Sequence, residues 1–224
     1  MAQRPGADIT GPADIFCPEC HPSVETILHP CVRCGMPTEE GSCPSCARAA
    51  SAFLSVASAV AYGGAMKQAI LRLKHGSRRD LGPVLAPAFA GALSAVIENT
   101  PDRASGLPVV ATPVPLHPNR LRKRGFNQAL ELLRAAAPAQ DIPVLPDALV
   151  RRVDTLPLSE LSPAERRERV SGVFSVRSRE AIAGRHIILA DDVMTTGATL
   201  SACATALLEN GAAGVSAAVL ARAI

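Results

Sequence analysis

Two adjacent acids followed by small hydroxylated residues form the segment of this chain whose residue types most clearly suggest chemistry. Residues 187–199 read IILADDVMTTGAT, and Asp191 and Asp192 come directly after four apolar residues. Small residues let backbone N–H groups close on a phosphate, and the start of a helix favours an anion. The two carboxylates would repel that phosphate, so they should face ribose hydroxyls or Mg²⁺. The segment therefore predicts a site for a sugar phosphate.

The predicted sugar phosphate site is a run of consecutive residues. Its members are Asp191, Asp192, Val193, Met194, Thr195, Thr196, Gly197, Ala198 and Thr199. An alternative from the residue types alone is an ordinary strand-to-helix turn with Asp192 as the helix N-cap. That alternative accounts for one acid, but it does not account for the acid pair together with the turn.

The elements around this site predict an α/β domain. The apolar residues before the acids suit a strand buried on both faces, and the Ala-rich residues 199–210 suit a helix that covers it. Ligands of open α/β sheets bind where strand ends meet helix starts. Upstream, the patterns predict a strand within 51–64, an amphipathic helix within 65–80, a long apolar helix within 81–99, and a strand, a proline-bounded loop and a helix within 108–137.

Basic residues are concentrated in that proline-bounded loop. Arg120, Arg122, Lys123 and Arg124 precede Gly125. A basic, flexible loop near a strand end suits a departing pyrophosphate. The alternative is a nucleic-acid-binding or simply solvated basic face.

The cysteines have the spacing of metal ligands. Six of the seven form three C-x-x-C pairs within the first fifty residues, and two such pairs make a tetrahedral Cys₄ zinc site of the structural type. We expect the ligands to be Cys31, Cys34, Cys43 and Cys46, because Gly35 and nearby serines permit tight turns. The first pair, Cys17 and Cys20, could bind a second zinc with His21 or His29, replace a later pair, or remain free thiols.

The apolar strand, the Asp-Asp pair and the Thr-Thr-Gly-Ala-Thr turn together resemble the phosphoribosyl pyrophosphate (PRPP) signature of type I phosphoribosyltransferases. A wider resemblance, to the ComF family, adds the Cys-rich head, LRLKHG at 71–76, VPLHPNRLRKRGFNQA at 114–129 and DTLPLSELSPAERRERVSGVF at 154–174. That family is bacterial and is associated with natural competence for DNA uptake. Its members combine a phosphoribosyltransferase-like domain with a zinc-binding head.

The resemblance implies a fold and two domains. Residues 51–224 are expected to form the type I phosphoribosyltransferase fold, with a central, mostly parallel sheet flanked by helices. Residues 1–50 are expected to form a small zinc-knuckle head. Residues 151–174 resemble the flexible lid of these enzymes, with a short polar helix from Pro163 or Ala164, although Leu158 and Arg169 differ from the residues usual there.

The resemblance also implies roles for particular residues. Asp191 and Asp192 would be catalytic residues that meet the ribose 2′- and 3′-hydroxyls, and the turn from Thr195 to Thr199 would hold the 5′-phosphate. The residues implied as pyrophosphate contacts are Lys74, Arg122, Lys123, Arg124, Arg151 and Arg152. For Lys74 the alternative is a lysine favoured at a helix C-terminus by the helix dipole.

The function that follows is transfer of the phosphoribosyl group from PRPP with Mg²⁺ to an unidentified nitrogenous acceptor. Two alternatives remain: a PRPP sensor without catalysis, and a zinc-headed adaptor for single-stranded DNA or DNA-uptake proteins. With no Trp, one Tyr and five Phe, the chain has little material for base stacking, so DNA binding would be mostly electrostatic.

Composition sets the remaining expectations. A chain of 224 residues with 48% hydrophobic content can bury one α/β core and a small satellite. The polar start MAQRPGADITG lacks the apolar core of a signal peptide, so we expect a cytoplasmic protein, without a membrane span. Type I phosphoribosyltransferases often form dimers, so the resemblance implies that this chain can form a homodimer.

Overall fold

A parallel sheet forms the centre of the part of the chain that the computed structural model describes, which comprises residues 11–39, 41, 43–48, 52–75, 78–100, 106–153 and 172–224. The strands are β1 (Val56–Ala61), β2 (Val109–Pro113), β3 (Leu149–Arg151), β4 (Phe174–Val176), β5 (His186–Met194) and β6 (Gly214–Arg222). Four of them pair in the order β1-β6-β5-β2, all parallel, and β3 pairs with β4 in an antiparallel hairpin. The predicted mostly parallel sheet is confirmed.

The two central strands are apolar because helices cover both of their faces. Every residue of β6 is buried, as expected for a strand inside a parallel sheet. The ladder between β5 and β6 continues past Ala190 to the pair Met194 and Arg222. The sequence predicted that this strand ends at the acid pair. The strand instead continues through the acid pair, because β6 is long enough to keep pairing with it.

Helices flank this sheet. They are α1 (Pro44–Arg48), α2 (Gly64–His75), α3 (Leu81–Glu98), α4 (Pro118–Arg124), α5 (Gln128–Ala136) and α6 (Ala198–Glu209). Helix α3 is long and apolar enough to cross a membrane by length and composition, but 56% of it is buried, and residues such as Phe89 share one hydrophobic cluster with Val60 and Leu220 of the sheet. It packs as a core helix of the domain. Cys203 of α6 is fully buried.

Helix α4 replaces the predicted flexible basic loop. Pro118 occupies its first turn, the His117 side chain accepts a hydrogen bond from the Asn119 N–H at 3.3 Å, and Gly125 ends it with φ 83°. Proline at the start and glycine after the end are helix boundary signals as well as loop signals. The loop prediction was wrong because Pro118 and Gly125 mark the start and the end of a short helix.

The N-terminal segment packs on the same core as the sheet. Ile15, Phe16 and Val24 belong to the hydrophobic cluster that contains residues of α2 and α3. The division into domains at residue 50 stays a prediction. Of the predicted lid, residues 151–153 and 172–174 are described, whereas Leu158, Arg169 and the predicted polar helix lie outside the described residues.

Candidate functional site

The predicted phosphate-binding turn lies between β5 and α6. Thr195 and Thr196 are exposed, and Gly197 adopts φ 78° immediately before the helix begins at Ala198. A Cβ at Gly197 would lie 2.7 Å from the Met194 Cε atom, so the end of that side chain would have to shift, and the left-handed backbone itself favours glycine. The first N–H groups of a helix have no carbonyl one turn earlier to bond, so they are available to an anion.

Gly197, and not Asp192, is the N-cap residue of α6. The alternative interpretation of the segment as an ordinary turn capped by Asp192 is therefore wrong. The two acids are adjacent residues within β5, and their side chains interact with each other. The Asp191 Oδ1 atom accepts a hydrogen bond of 2.8 Å from the Asp192 N–H.

The Asp192 carboxylate forms an ion pair with Lys74, in the last turn of α2. The Lys74 Nζ and Asp192 Oδ2 atoms are 2.9 Å apart, and their side chains are 22% and 3% exposed. A carboxylate buried this deeply needs a compensating charge. Lys74 supplies it, and the ion pair places the end of α2 beside the candidate site.

Asp191 is half-buried and is electrostatically linked to its neighbour. Burial first, and then the charge of Asp192, raise the pKa of Asp191 to about 8, while the Lys74 charge opposes this shift. Two carboxylates this close titrate as a pair.

Arg124, at the end of α4, faces the same pair of carboxylates. Burial lowers the pKa of Arg124, and the charges of Asp192 and Asp191 partly offset that shift. Its guanidinium also donates a hydrogen bond to the Gln128 side chain. Of the six basic residues predicted to contact pyrophosphate, Lys74 and Arg124 are thus the two whose interactions reach the acid pair.

The other four predicted basic residues lie elsewhere. Lys123 is exposed on α4. The Arg152 Nε donates a 2.7 Å hydrogen bond to the Ser175 hydroxyl across the β3-β4 hairpin. Arg122 and Arg151 line a separate cavity.

This cavity, which we call the arginine groove, lies between α4, α5 and the β3-β4 hairpin and has a volume of about 530 Å³. Its arginines are Arg79, Arg122, Arg134, Arg151 and Arg177, and its acids are Glu131 and Asp147. Glu131 pairs with Arg79 at 2.7 Å and with Arg134 at 3.3 Å. The remaining lining is largely apolar, and the groove has an excess of positive charge.

Four cysteines converge as a metal site. The Sγ atoms of Cys31, Cys34, Cys43 and Cys46 all lie within 4.8 Å of one another, which fits tetrahedral zinc with Zn–S bonds of about 2.3 Å. Burial raises the pKa of Cys31, but hydrogen bonds from backbone N–H groups, chiefly that of Cys43, outweigh it and lower the pKa to about 6. This favours the thiolate of Cys31, which is the form that binds metal, whereas burial is the largest cause of the raised pKa values of Cys34 and Cys46.

The first cysteine pair is separate from this cluster. Within the described residues, the four later cysteines form the single group of three or more candidate ligands that could share an ion. Cys17 and Cys20 lie in a turn in which the Cys20 N–H donates to the Cys17 carbonyl at 3.0 Å. Nearby His21 pairs with Asp14 at 3.3 Å. The structure thus favours the predicted ligand set and leaves the first pair outside it.

Arg222 contacts both the cysteine cluster and the turn after β5, and the sequence analysis did not identify it. It ends β6, is 7% exposed, and its Nε donates a 2.8 Å hydrogen bond to the Cys34 carbonyl. Its Nη1 donates to the carbonyls of Met194, at 3.1 Å, and of Thr195. A usable signal was present, because a single charged residue at the end of a fully buried strand must find buried partners.

Comparison with known proteins supports the interpretation of this geometry. Residues 135–224 match the family model described as phosphoribosyl transferase domain. The chain is 27% identical over 202 residues to DNA utilization protein YhgH of Escherichia coli K12, covering 89% of this chain and 87% of that one. It is 29% identical over 222 residues to competence protein ComFC of Bacillus subtilis, covering 94% and 85%.

Two further similarities are shorter. Competence protein F of Haemophilus influenzae is 38% identical over 96 residues, or 42% of each chain. Among solved structures, the allosteric regulatory enzyme of purine biosynthesis aligns with 65% of this chain at 21% identity and a TM-score of 0.34, and the chain spans about a quarter of its length (25%).

Proposed function

The chain belongs to the ComF family and has the type I phosphoribosyltransferase fold, and from these premises we propose that it binds PRPP with Mg²⁺ and transfers the phosphoribosyl group to a nitrogenous acceptor. One observation carries the proposal. Several groups converge at the end of β5. They are the acid pair, the Thr-Thr-Gly-Ala-Thr turn with Gly197 in the left-handed conformation, and the basic residues Lys74 and Arg124.

Each of these groups has a part in binding. The N–H groups from Thr195 to Thr199 hold the 5′-phosphate at the start of α6. Asp191 and Asp192 accept hydrogen bonds from the ribose hydroxyls, and the ion pair with Lys74 orients Asp192 for that role. Arg124 provides positive charge towards the pyrophosphate. Mg²⁺, when bound with PRPP, neutralises charge on the pyrophosphate.

The reaction then needs little covalent work from the protein. A nitrogen lone pair attacks the anomeric carbon, the bond from that carbon to the pyrophosphate oxygen breaks, and pyrophosphate leaves with the bonding electrons. The nitrogen then loses its proton to solvent. Positive charge develops on the ribose during this displacement, and the carboxylates of Asp191 and Asp192 stabilise it at fixed positions.

The proposal is tested by thermal unfolding and by pyrophosphate release. We expect PRPP with Mg²⁺ to raise the melting temperature of the wild-type protein by mass action, and an Asp191→Asn/Asp192→Asn variant to lose this response. The exposed Asp147→Asn variant is the matched control and should keep it. Pyrophosphate release in the presence of ammonia, amines or nucleobases identifies the acceptor. PRPP binding without any release would support a sensor, and no thermal response of the wild type would contradict the proposal.

The arginine groove favours a second function, which is binding single-stranded DNA. Relatives of the chain are named for DNA utilization and for competence. Arg122, Arg151 and Arg177 line the groove together with apolar side chains, and they could follow a phosphate backbone.

DNA binding by the groove is tested with a labelled oligonucleotide at several salt concentrations. An Arg122→Gln/Arg177→Gln variant should bind more weakly, and its affinity should fall less steeply with salt than that of the wild type. An Arg72→Gln variant, which removes an exposed arginine from α2 outside the groove, is the control. Equal loss in both variants would contradict a specific role of the groove.

A further inference from the structure

Arg222 connects the cysteine cluster to the candidate phosphate-binding turn. Its Nε hydrogen-bonds the carbonyl of Cys34, a zinc ligand candidate, and its Nη1 hydrogen-bonds the carbonyls of Met194 and Thr195. A third bond from Nη1, of 2.6 Å, reaches the Ala223 carbonyl. The buried Arg222 guanidinium therefore binds the cysteine cluster and the turn at the same time.

The Arg222 side chain also packs against the backbone of the four-cysteine cluster (Cys31, Cys34, Cys43 and Cys46), which we call the knuckle. A Cβ at Gly35 would lie 3.7 Å from the Arg222 Cδ atom, so the backbone turn after Cys34 lies close to the arginine stem. The Val56 N–H donates a 2.9 Å hydrogen bond to the Val32 carbonyl, which fixes the knuckle on β1. The knuckle thus forms one wall of the space that Arg222 fills.

The carbonyl bonds orient the turn's N–H groups. A trans peptide is planar, and its C=O and N–H point in opposite directions. Because Arg222 holds the Thr195 carbonyl on its own side, and holds the Met194 carbonyl there together with the Ala223 N–H at 2.9 Å, the N–H groups of Thr195 and Thr196 point to the opposite side. Those two N–H groups begin the turn to which the proposed function assigns the 5′-phosphate.

We propose that Arg222 is a positioning residue of the PRPP site and that it couples zinc binding at the knuckle to PRPP binding at the turn. This inference rests on the proposed function. With zinc bound, the Cys34 carbonyl is fixed and completes the set of Arg222 acceptors. When zinc is lost, Nε loses a buried partner, which is costly, and the guanidinium no longer holds the two carbonyls of the turn.

The first test is a double-mutant cycle read out as PRPP affinity. Arg222→Met should weaken PRPP binding about tenfold, within the usual range of coupling between sites. Cys46→Ser should also weaken it in the wild-type background, but should add little in the Arg222→Met background, since the connection is already cut. Losses that simply multiply would overturn the coupling.

Arg33→Met is the matched control for this cycle. The Arg33 Nη1 donates a 3.2 Å hydrogen bond to the Cys46 carbonyl, so it also binds a knuckle carbonyl, but the described bonds of its side chain do not include the turn. We expect its PRPP affinity to stay within about twofold of the wild type. A loss equal to that of Arg222→Met would show a general effect of knuckle damage and overturn the positioning role.

The second test uses the wild-type protein and does not depend on whether a variant folds. Coupling of binding free energies is reciprocal, so PRPP with excess Mg²⁺ should raise the affinity for zinc, measured by equilibrium competition with a coloured chelator, by about fivefold or more. The Asp191→Asn/Asp192→Asn variant should show no increase in zinc affinity, which controls for metal binding by PRPP itself. PRPP binding without any change in zinc affinity overturns the coupling alone, whereas no PRPP binding overturns the proposed function and the coupling with it.

Discussion

The ammonium of Lys74, at the end of α2, lies 2.9 Å from the carboxylate of Asp192, which lies within β5. Both groups are largely buried, so removing either one leaves the other as an uncompensated charge, which destabilises the fold. The pair fixes the distance between α2 and β5 and determines how much negative charge the site presents.

Removing Lys74 should destabilise the fold and weaken PRPP binding. Lys74→Met leaves the buried Asp192 carboxylate uncompensated, and we expect the free energy of unfolding to fall by about 3 kcal/mol. Lys67→Met on the same helix is the control, because Lys67 is exposed and lies 5.9 Å from the Tyr62 ring centroid. Urea unfolding of both variants measures the difference. Equal stabilities would show that the ion pair contributes nothing.

Adding a methyl group at Gly197 should damage the turn. Gly197→Ala meets a left-handed backbone and the Met194 side chain 2.7 Å away, whereas Gly125→Ala meets a similar φ of 83° with nothing within 4 Å. Backbone strain costs about 1–2 kcal/mol in both variants, and the steric contact adds to it in the first. We expect Gly197→Ala to have the lower melting temperature and to lose PRPP binding. Retained binding in Gly197→Ala would argue against the turn as the phosphate site.

Asp191 should make the stability of the ligand-free protein depend on pH. Its pKa is raised in the folded state to about 8, whereas an unfolded aspartate has a pKa of about 3.9. Between these values the folded state binds more protons than the unfolded state, so the free energy of unfolding should decrease as pH rises towards about 8.

This dependence is checked by urea unfolding at several values between about pH 6 and pH 8.5. Asp191→Asn should flatten the decrease, and the exposed Asp147→Asn should keep it. Parallel curves for Asp191→Asn and the wild type would mean that Asp191 is ionised in the folded protein throughout this range.

Zinc should bind with a stoichiometry of one ion per chain. Cys31→Ser removes a buried ligand of the four-cysteine cluster and should abolish tight zinc binding. Cys17→Ser/Cys20→Ser should retain it, because that pair lies outside the cluster. Metal analysis after dialysis measures both. Two ions in the wild type and one in the double variant would instead support a second site at the first pair.

The strand, turn and helix of the candidate site could be predicted from the sequence because each depends on local pattern. Four apolar residues, an acid pair and a small-residue turn specify their own geometry within a few residues. The cysteine spacing of the knuckle is local in the same sense, and the structure brings together the four cysteines predicted from it.

The long-range contacts could not be predicted in this way. The Lys74 and Asp192 pair and the bonds of Arg222 join residues that become neighbours only when the sheet order β1-β6-β5-β2 forms. For the same reason, charge clustering along the chain did not separate Arg124, which faces the acids, from Arg122, which lines the arginine groove.

The central claim is that the end of β5 binds PRPP, and calorimetric titration of the zinc-loaded protein with PRPP and Mg²⁺ tests it most directly. The proposal predicts one PRPP per wild-type chain, loss of binding in a folded Asp191→Asn/Asp192→Asn variant, and unchanged binding in Asp147→Asn. Absence of heat with the wild type, or equal binding by the double variant, would contradict it.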